Sequence, residues 1–195
     1  MAKREGNGVR VIVGISGASG AIYGIRLLQE LAQAGVETHL IMSRWARETI
    51  RQETSFTPEE VEALSTVRYD PQDQGAAVSS GSFLTAGMVV APCSMKTVAA
   101  IAHGYAENLL VRAADVCLKE QRKLILVPRE TPLSAVHLEN MLKLARLGVI
   151  IMPPVPAFYQ QPRCLEDIVN QTVGRVLDHL GVAHHLFRRW KEGQL

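Results

Sequence analysis

Nowhere does this chain approach the roughly 18 consecutive apolar residues that a membrane-crossing helix requires. No basic-then-apolar leader opens it either: Met1-Ala2-Lys3-Arg4-Glu5-Gly6-Asn7-Gly8 is polar and runs straight into a strand-like segment. Cysteine is scarce, with Cys93, Cys117 and Cys164 far apart and no C-x-x-C among them, which argues against a disulfide framework. Reduced thiols in a cytoplasmic protein are the expectation. Histidines in metal-site spacing are missing, since His184 and His185 are adjacent and cannot share a helix face, and H-E-x-x-H does not occur. His103 and His137 are expected to be packed or solvated. No G-x-S-x-G nucleophile elbow appears. Charge of one sign is lacking too: 21 basic against 19 acidic residues leave a net charge of +2, which points away from nucleic acid and membrane surfaces.

What is present is a core-forming chain. An apolar content of 47% over 195 residues suits one α/β domain. Strand-like runs at 9–15, 37–42, 88–91, 123–127 and 149–152 alternate with helical periods such as Ile22, Ile25, Leu28 and Ala32. Strands apolar on both faces and separated by helices predict a mostly parallel sheet in a three-layer α/β fold. Residues 55–81 read as a polar excursion holding one short helix from Thr57 to Leu64, residues 165–180 as a final helix, and residues 182–195 as a tail.

Four strand-to-helix turns carry candidate chemistry. In the first, Gly14-Ile15-Ser16-Gly17-Ala18-Ser19-Gly20, backbone N–H groups and a helix dipole suit an anion. Its spacing matches neither G-x-G-x-x-G nor a P-loop, and the second strand ends Met42-Ser43-Arg44 where a dinucleotide fold places an acid. Tight packing and a mononucleotide site both remain open. In the second, Pro92-Cys93-Ser94-Met95-Lys96-Thr97, proline is expected to end a strand and Ser94 to cap a helix. Cys93 is either an activated thiolate or, better supported because no base lies near it in sequence, a small buried residue.

In the third, Val127-Pro128-Arg129-Glu130-Thr131-Pro132, an arginine fork stands beside a carboxylate, a pair suited to phosphate and proton handling or to a plain ion pair. In the fourth, Pro153-Pro154-Val155-Pro156-Ala157-Phe158-Tyr159, prolines stiffen an edge whose aromatics suit an apolar ligand. Arg112 and Asp115 sit one turn apart and predict a mutual contact, and Lys119-Glu120-Gln121-Arg122-Lys123 predicts a solvated helix end. Arg175 lies off the apolar stripe of the last helix and by itself reads as an exposed arginine.

These segments, together with Arg112-Ala113-Ala114-Asp115-Val116, resemble in order and spacing the UbiX/Pad-type flavin prenyltransferases. The resemblance implies a flavodoxin-like Rossmann fold and transfer of a dimethylallyl group from dimethylallyl phosphate to N5 and C6 of reduced FMN, without a metal. It further implies a UbiD-type decarboxylase as recipient of the prenylated FMN, and a homo-oligomer, typically a dodecamer, with sites where subunits meet. Carried over by position, Gly17, Ala18, Ser19, Ser43, Ser94, Met95, Lys96, Thr97 and Arg129 contact FMN. Tyr159, Arg175, Lys119, Arg129 and Trp190 hold the prenyl donor, while Ser19, Glu53, Lys119, Arg129 and Glu130 form the catalytic set. A rival reading is an FMN-dependent decarboxylase of the phosphopantothenoylcysteine type, which wants a histidine base where this chain has Arg44-Trp45-Ala46-Arg47. A second rival is an FMN-binding accessory subunit.

Overall fold

The computed structural model describes residues 8–190, so the first seven residues and the last five of the expected tail lie outside it. Six parallel strands form one sheet: β1 (Arg10–Ile15), β2 (Glu37–Met42), β3 (Val67–Tyr69), β4 (Gly87–Cys93), β5 (Lys123–Pro128) and β6 (Ile150–Ile151), in the order β3-β2-β1-β4-β5-β6. The five strands legible in the sequence are arranged as 2-1-3-4-5, the flavodoxin-like order. The polar excursion adds the sixth: it is not all loop and helix, because Val67–Tyr69 pairs with β2 at the sheet edge. Three residues with a half-exposed pattern carry too little periodicity to announce a strand.

Strand alternation divides the core. Val11, Val13 and Ile15 point into the layer formed by α1 (Ala21–Gln33) and α7 (Leu165–Leu180), while Ile12, Val90 and Leu126 point into the layer of α4 (Met95–His103), α5 (Leu109–Lys119) and α6 (Ala135–Arg146). Two further helices, α2 (Arg44–Glu53) and α3 (Pro58–Ala63), follow β2. Polar side chains start five of these helices: Ser43, Thr57, Ser94, Asn108 and Ser134 each accept a hydrogen bond from the backbone N–H three residues on. Strand β4 does not end at the proline as its sequence suggests; it continues through Pro92 to Cys93, with a cis Ala91–Pro92 bond.

The basic run after α5 is more than a solvated helix end. Arg122 donates to the carbonyls of Phe83 and Gly81, and Lys123 to that of His179. Arg112 and Asp115 pair at 2.7 Å as their spacing implies. His103 bonds Asn140, and His137 completes the cap of α6 with Ser134. Among the described residues, no helix is long and apolar enough to cross a membrane.

Candidate active site

Parallel pairing brings the carboxyl ends of β1, β2, β4 and β5 to one edge, and backbone hydrogen bonds lace them together. Ser43 N–H donates to the Ile15 carbonyl, Ser16 N–H to that of Pro92, and Arg129 N–H to that of Cys93. Between β1 and β4 the strand order reverses, the place where open α/β sheets bind ligands. Ser16 spans that point. Its buried hydroxyl donates to the Pro92 carbonyl at 2.9 Å and accepts from the Ser94 N–H at 2.8 Å. Ser16→Ala would leave the Ser94 N–H without its acceptor and the Pro92 carbonyl with only the Ser16 N–H as donor, and urea unfolding is expected to report a loss of about 2 kcal/mol. An unchanged midpoint would show that water replaces the hydroxyl without cost.

Helix α2 lies over the glycine-rich turn. Its residues 45, 49 and 53, spaced i, i+4, i+8, form one stripe facing that turn. The Trp45 Cβ packs so closely on Gly17 that a Cβ at position 17 would come within 2.3 Å of it. Thr49 donates to the Gly17 carbonyl at 3.5 Å, and a Glu53 carboxylate oxygen accepts from Gly20 N–H at 2.7 Å and Ala21 N–H at 3.4 Å. The positive end of α1 is therefore already occupied by an internal carboxylate. The sequence left tight packing and an anion site both open at this turn, and the fold adds the stripe of α2 and an internal carboxylate to it. The four-residue spacing of Trp45, Thr49 and Glu53 is the signal that was there to read.

A second opening lies between the N-termini of α2 and α4. A cleft of about 320 Å3 there is lined by Ser43, Arg44, Trp45, Lys96 and Thr97, and by Pro71, Gln72, Glu107, Asn108 and Leu110. The last five come from the excursion and the start of α5, which the sequence did not point to. Ser94 bonds Thr97 through both the side-chain oxygen and the backbone N–H, fixing the first turn of α4. Lys96 is tied to Glu107 at 2.6 Å. Met95 is buried beneath the turn. Cys93 is fully buried, and burial pushes its thiol well above the usual range, so the packed reading holds and the activated thiolate does not. Burial likewise pushes Cys117 up to about 11.

The remaining residues fall into separate groups. Gly17, Ser19, Arg129 and Glu130 are exposed, and Ala18 is buried under the turn. Arg129 and Glu130 share the carboxyl edge but do not pair; Glu130 accepts from the Thr131 N–H instead. Tyr159 meets Trp190 edge to face at 5.1 Å, which places tail and proline-rich segment together. Arg175 faces Asp178 at 3.8 Å, in a network with His184 and Arg189. Lys119 ends α5 beside Glu120 and the Gly81 backbone, at the amino end of the sheet. Its ammonium holds the Glu120 carboxyl below the usual carboxylate range. Arg129 follows β5 and Lys119 precedes it, so the strand's length, roughly 20 Å, separates the two.

Comparison with known proteins agrees with this geometry. The Flavoprotein family model matches residues 1–177. A probable UbiX-like flavin prenyltransferase of Bacillus subtilis is 58% identical over 96% of this chain and 93% of its own. A crystal structure of AnUbiX in complex with FMN and dimethylallyl pyrophosphate superposes with a TM-score of 0.92 at 50% identity, covering 93% of this chain and 97% of that one. A dodecameric FMN-dependent UbiX-like decarboxylase from Escherichia coli O157:H7 gives a TM-score of 0.93 at 55% identity, covering 94% of this chain and 100% of that one. With more than half of its residues shared over nearly its full length, the chain belongs to the UbiX-like flavin prenyltransferase family.

Proposed function

We propose that this protein joins the dimethylallyl group of dimethylallyl phosphate to reduced FMN. The observation that carries the reading is the convergence of the Ser16–Gly20, Ser43, Ser94–Thr97 and Arg129 turns on the edge where the strand order reverses, in a chain half identical to one crystallised with FMN and dimethylallyl pyrophosphate. The residues present fit a flavin nucleotide. The cleft between α2 and α4 offers polar groups for a phosphate. Ser19, Ser43, Ser94, Thr97 and Arg129 would hold the flavin as acceptor.

The allylic C–O bond breaks with its electron pair leaving on phosphate, and a bond from carbon to the flavin N5 forms. Closure at C6 completes a new ring. The net change adds one five-carbon unit to the flavin and releases phosphate carrying one proton. Cationic Lys119, Arg129 and Arg175 oppose the charge that develops on the leaving phosphate. Tyr159 and Trp190 offer π-faces to the allylic cation, each interaction contributing on the order of 1 kcal/mol. Glu130 and Ser19, exposed at the carboxyl edge, are the groups we assign to moving protons. Glu53 orders the turn that presents Ser19 by holding the N–H groups of Gly20 and Ala21.

Lys119 lies too far from Arg129 to serve the same site within one copy, so we assign it to the site of a neighbouring copy in a homo-oligomer such as a dodecamer. The exposed Phe158, Tyr159, Leu165 and Trp190 suit contacts between copies. Three free thiols, two of them buried, suit the reducing cytoplasm. The product would pass to a UbiD-type decarboxylase.

Incubation with reduced FMN and either dimethylallyl phosphate or the pyrophosphate should yield a flavin heavier by one five-carbon unit. Flavin of unchanged mass would defeat the reading in favour of an FMN-binding accessory subunit, and carbon dioxide release from an acid by the isolated protein would favour a decarboxylase. Glu130→Gln should slow this turnover by about 100-fold while leaving the dissociation constant for FMN within a factor of about two. Equal turnover by variant and parent would remove Glu130 from proton transfer.

A further inference from the structure

Resting on the flavin reading above, we propose that Arg44 is the residue by which this chain distinguishes FMN from unphosphorylated riboflavin, gripping the terminal phosphate in the cleft between α2 and α4. Arg44 opens α2 directly after the Ser43 cap and lines that cleft. Its guanidinium is exposed and, among the described residues, makes no hydrogen bond or ion pair. Nearby acids are engaged elsewhere: Glu62 is held by Arg47 and Arg68, and Asp70 accepts from the Gln72 N–H. Lys96, the other cation of the cleft, is neutralised by Glu107 at 2.6 Å. At the glycine-rich turn, Glu53 already takes the N-terminus of α1.

Charge balance then singles out Arg44. A phosphate monoester carries about −1.5 to −2 at neutral pH. The N-termini of α2 and α4 each present about +0.5, and the Lys96–Glu107 pair contributes almost nothing net. One further positive charge is needed beside these helices, and Arg44 supplies it in a planar fork that matches phosphate oxygens. Riboflavin lacks the group that this charge answers, so its binding does not draw on Arg44.

Equilibrium binding of FMN and of riboflavin to the full chain, followed by flavin fluorescence, tests the assignment in the parent, Arg44→Ala and Arg44→Lys. Arg44→Ala is expected to weaken FMN binding about tenfold or more while leaving riboflavin within about twofold, and Arg44→Lys to recover part of the loss. Added salt should weaken FMN binding by the parent more steeply than by Arg44→Ala. Unchanged FMN affinity in Arg44→Ala, or equal losses for FMN and riboflavin, would overturn the assignment while leaving the flavin reading standing. A parent protein that binds neither flavin overturns the flavin reading itself, and with it the role of Arg44.

Discussion

Cells producing a Lys119→Ala copy together with an Arg129→Ala copy are expected to contain active enzyme, although each variant produced alone is inactive. On the mechanism proposed above, each substitution removes a positive charge that opposes the leaving phosphate, and loss of one such group costs on the order of 100- to 1000-fold in rate. The recovery follows from β5. Lys119 stands before this strand and Arg129 after it, and neither can cross its length to reach the other. A site that uses both must take them from different copies. If copies mix at random, about one site in four receives both native side chains, so activity should return to about a quarter of the parent's. An inactive mixture would mean that one copy supplies both residues or that Lys119 takes no part. The assay is the mass of the flavin product from mixed oligomers separated by two affinity tags.

Gly24→Ala is expected to destabilise the protein by about 3 kcal/mol, read as a fall in the urea midpoint at unchanged slope. Local rules predict the opposite sign, because Gly24 lies inside α1 and alanine there should favour the helix by about 1 kcal/mol. The sheet decides otherwise. A Cβ on residue 24 would stand 2.3 Å from the Ala91 carbonyl oxygen and 2.9 Å from the Ile15 side chain. The first of these is backbone of the central strand β4, one residue before the segment that Ser16 ties to the glycine-rich turn. Relief requires α1 to lift off the sheet, and overpacking of this kind costs about 1–3 kcal/mol, occasionally more. FMN affinity should fall in the same variant, since the turn that starts α1 moves with it. A stabilised variant would show that α1 has room to shift and that its approach to β4 is not needed.

Much of the architecture was legible because its determinants are local. Residues 37–42 and 165–180 read as a strand and a helix from periodicity alone and are β2 and α7. Ser94 reads as a helix cap from its place after a strand and accepts the Thr97 N–H. The short helix read from Thr57 to Leu64 is α3, and the structure starts it with a Thr57–Glu60 capping box. Motif order, matched to a family, was enough to name the flavin and the prenyl donor as expectations. The contacts that reshape the site were not legible, since each joins residues far apart in the chain. Ser16 meets Pro92 and Ser94, Glu53 meets Gly20, Lys96 meets Glu107, and Tyr159 meets Trp190.

The sequence by itself determined which elements form and where the candidate residues start or end them, because caps, glycine-rich turns and apolar periods act over three or four residues. Only the tertiary structure decided how those residues are shared out. The direction of β5 puts Lys119 and Arg129 at opposite ends of the sheet, and the path of α2 puts Glu53 on the turn that looked ready for a phosphate. Strand direction and helix path are set by how two core layers pack on one sheet, and no local pattern records that packing.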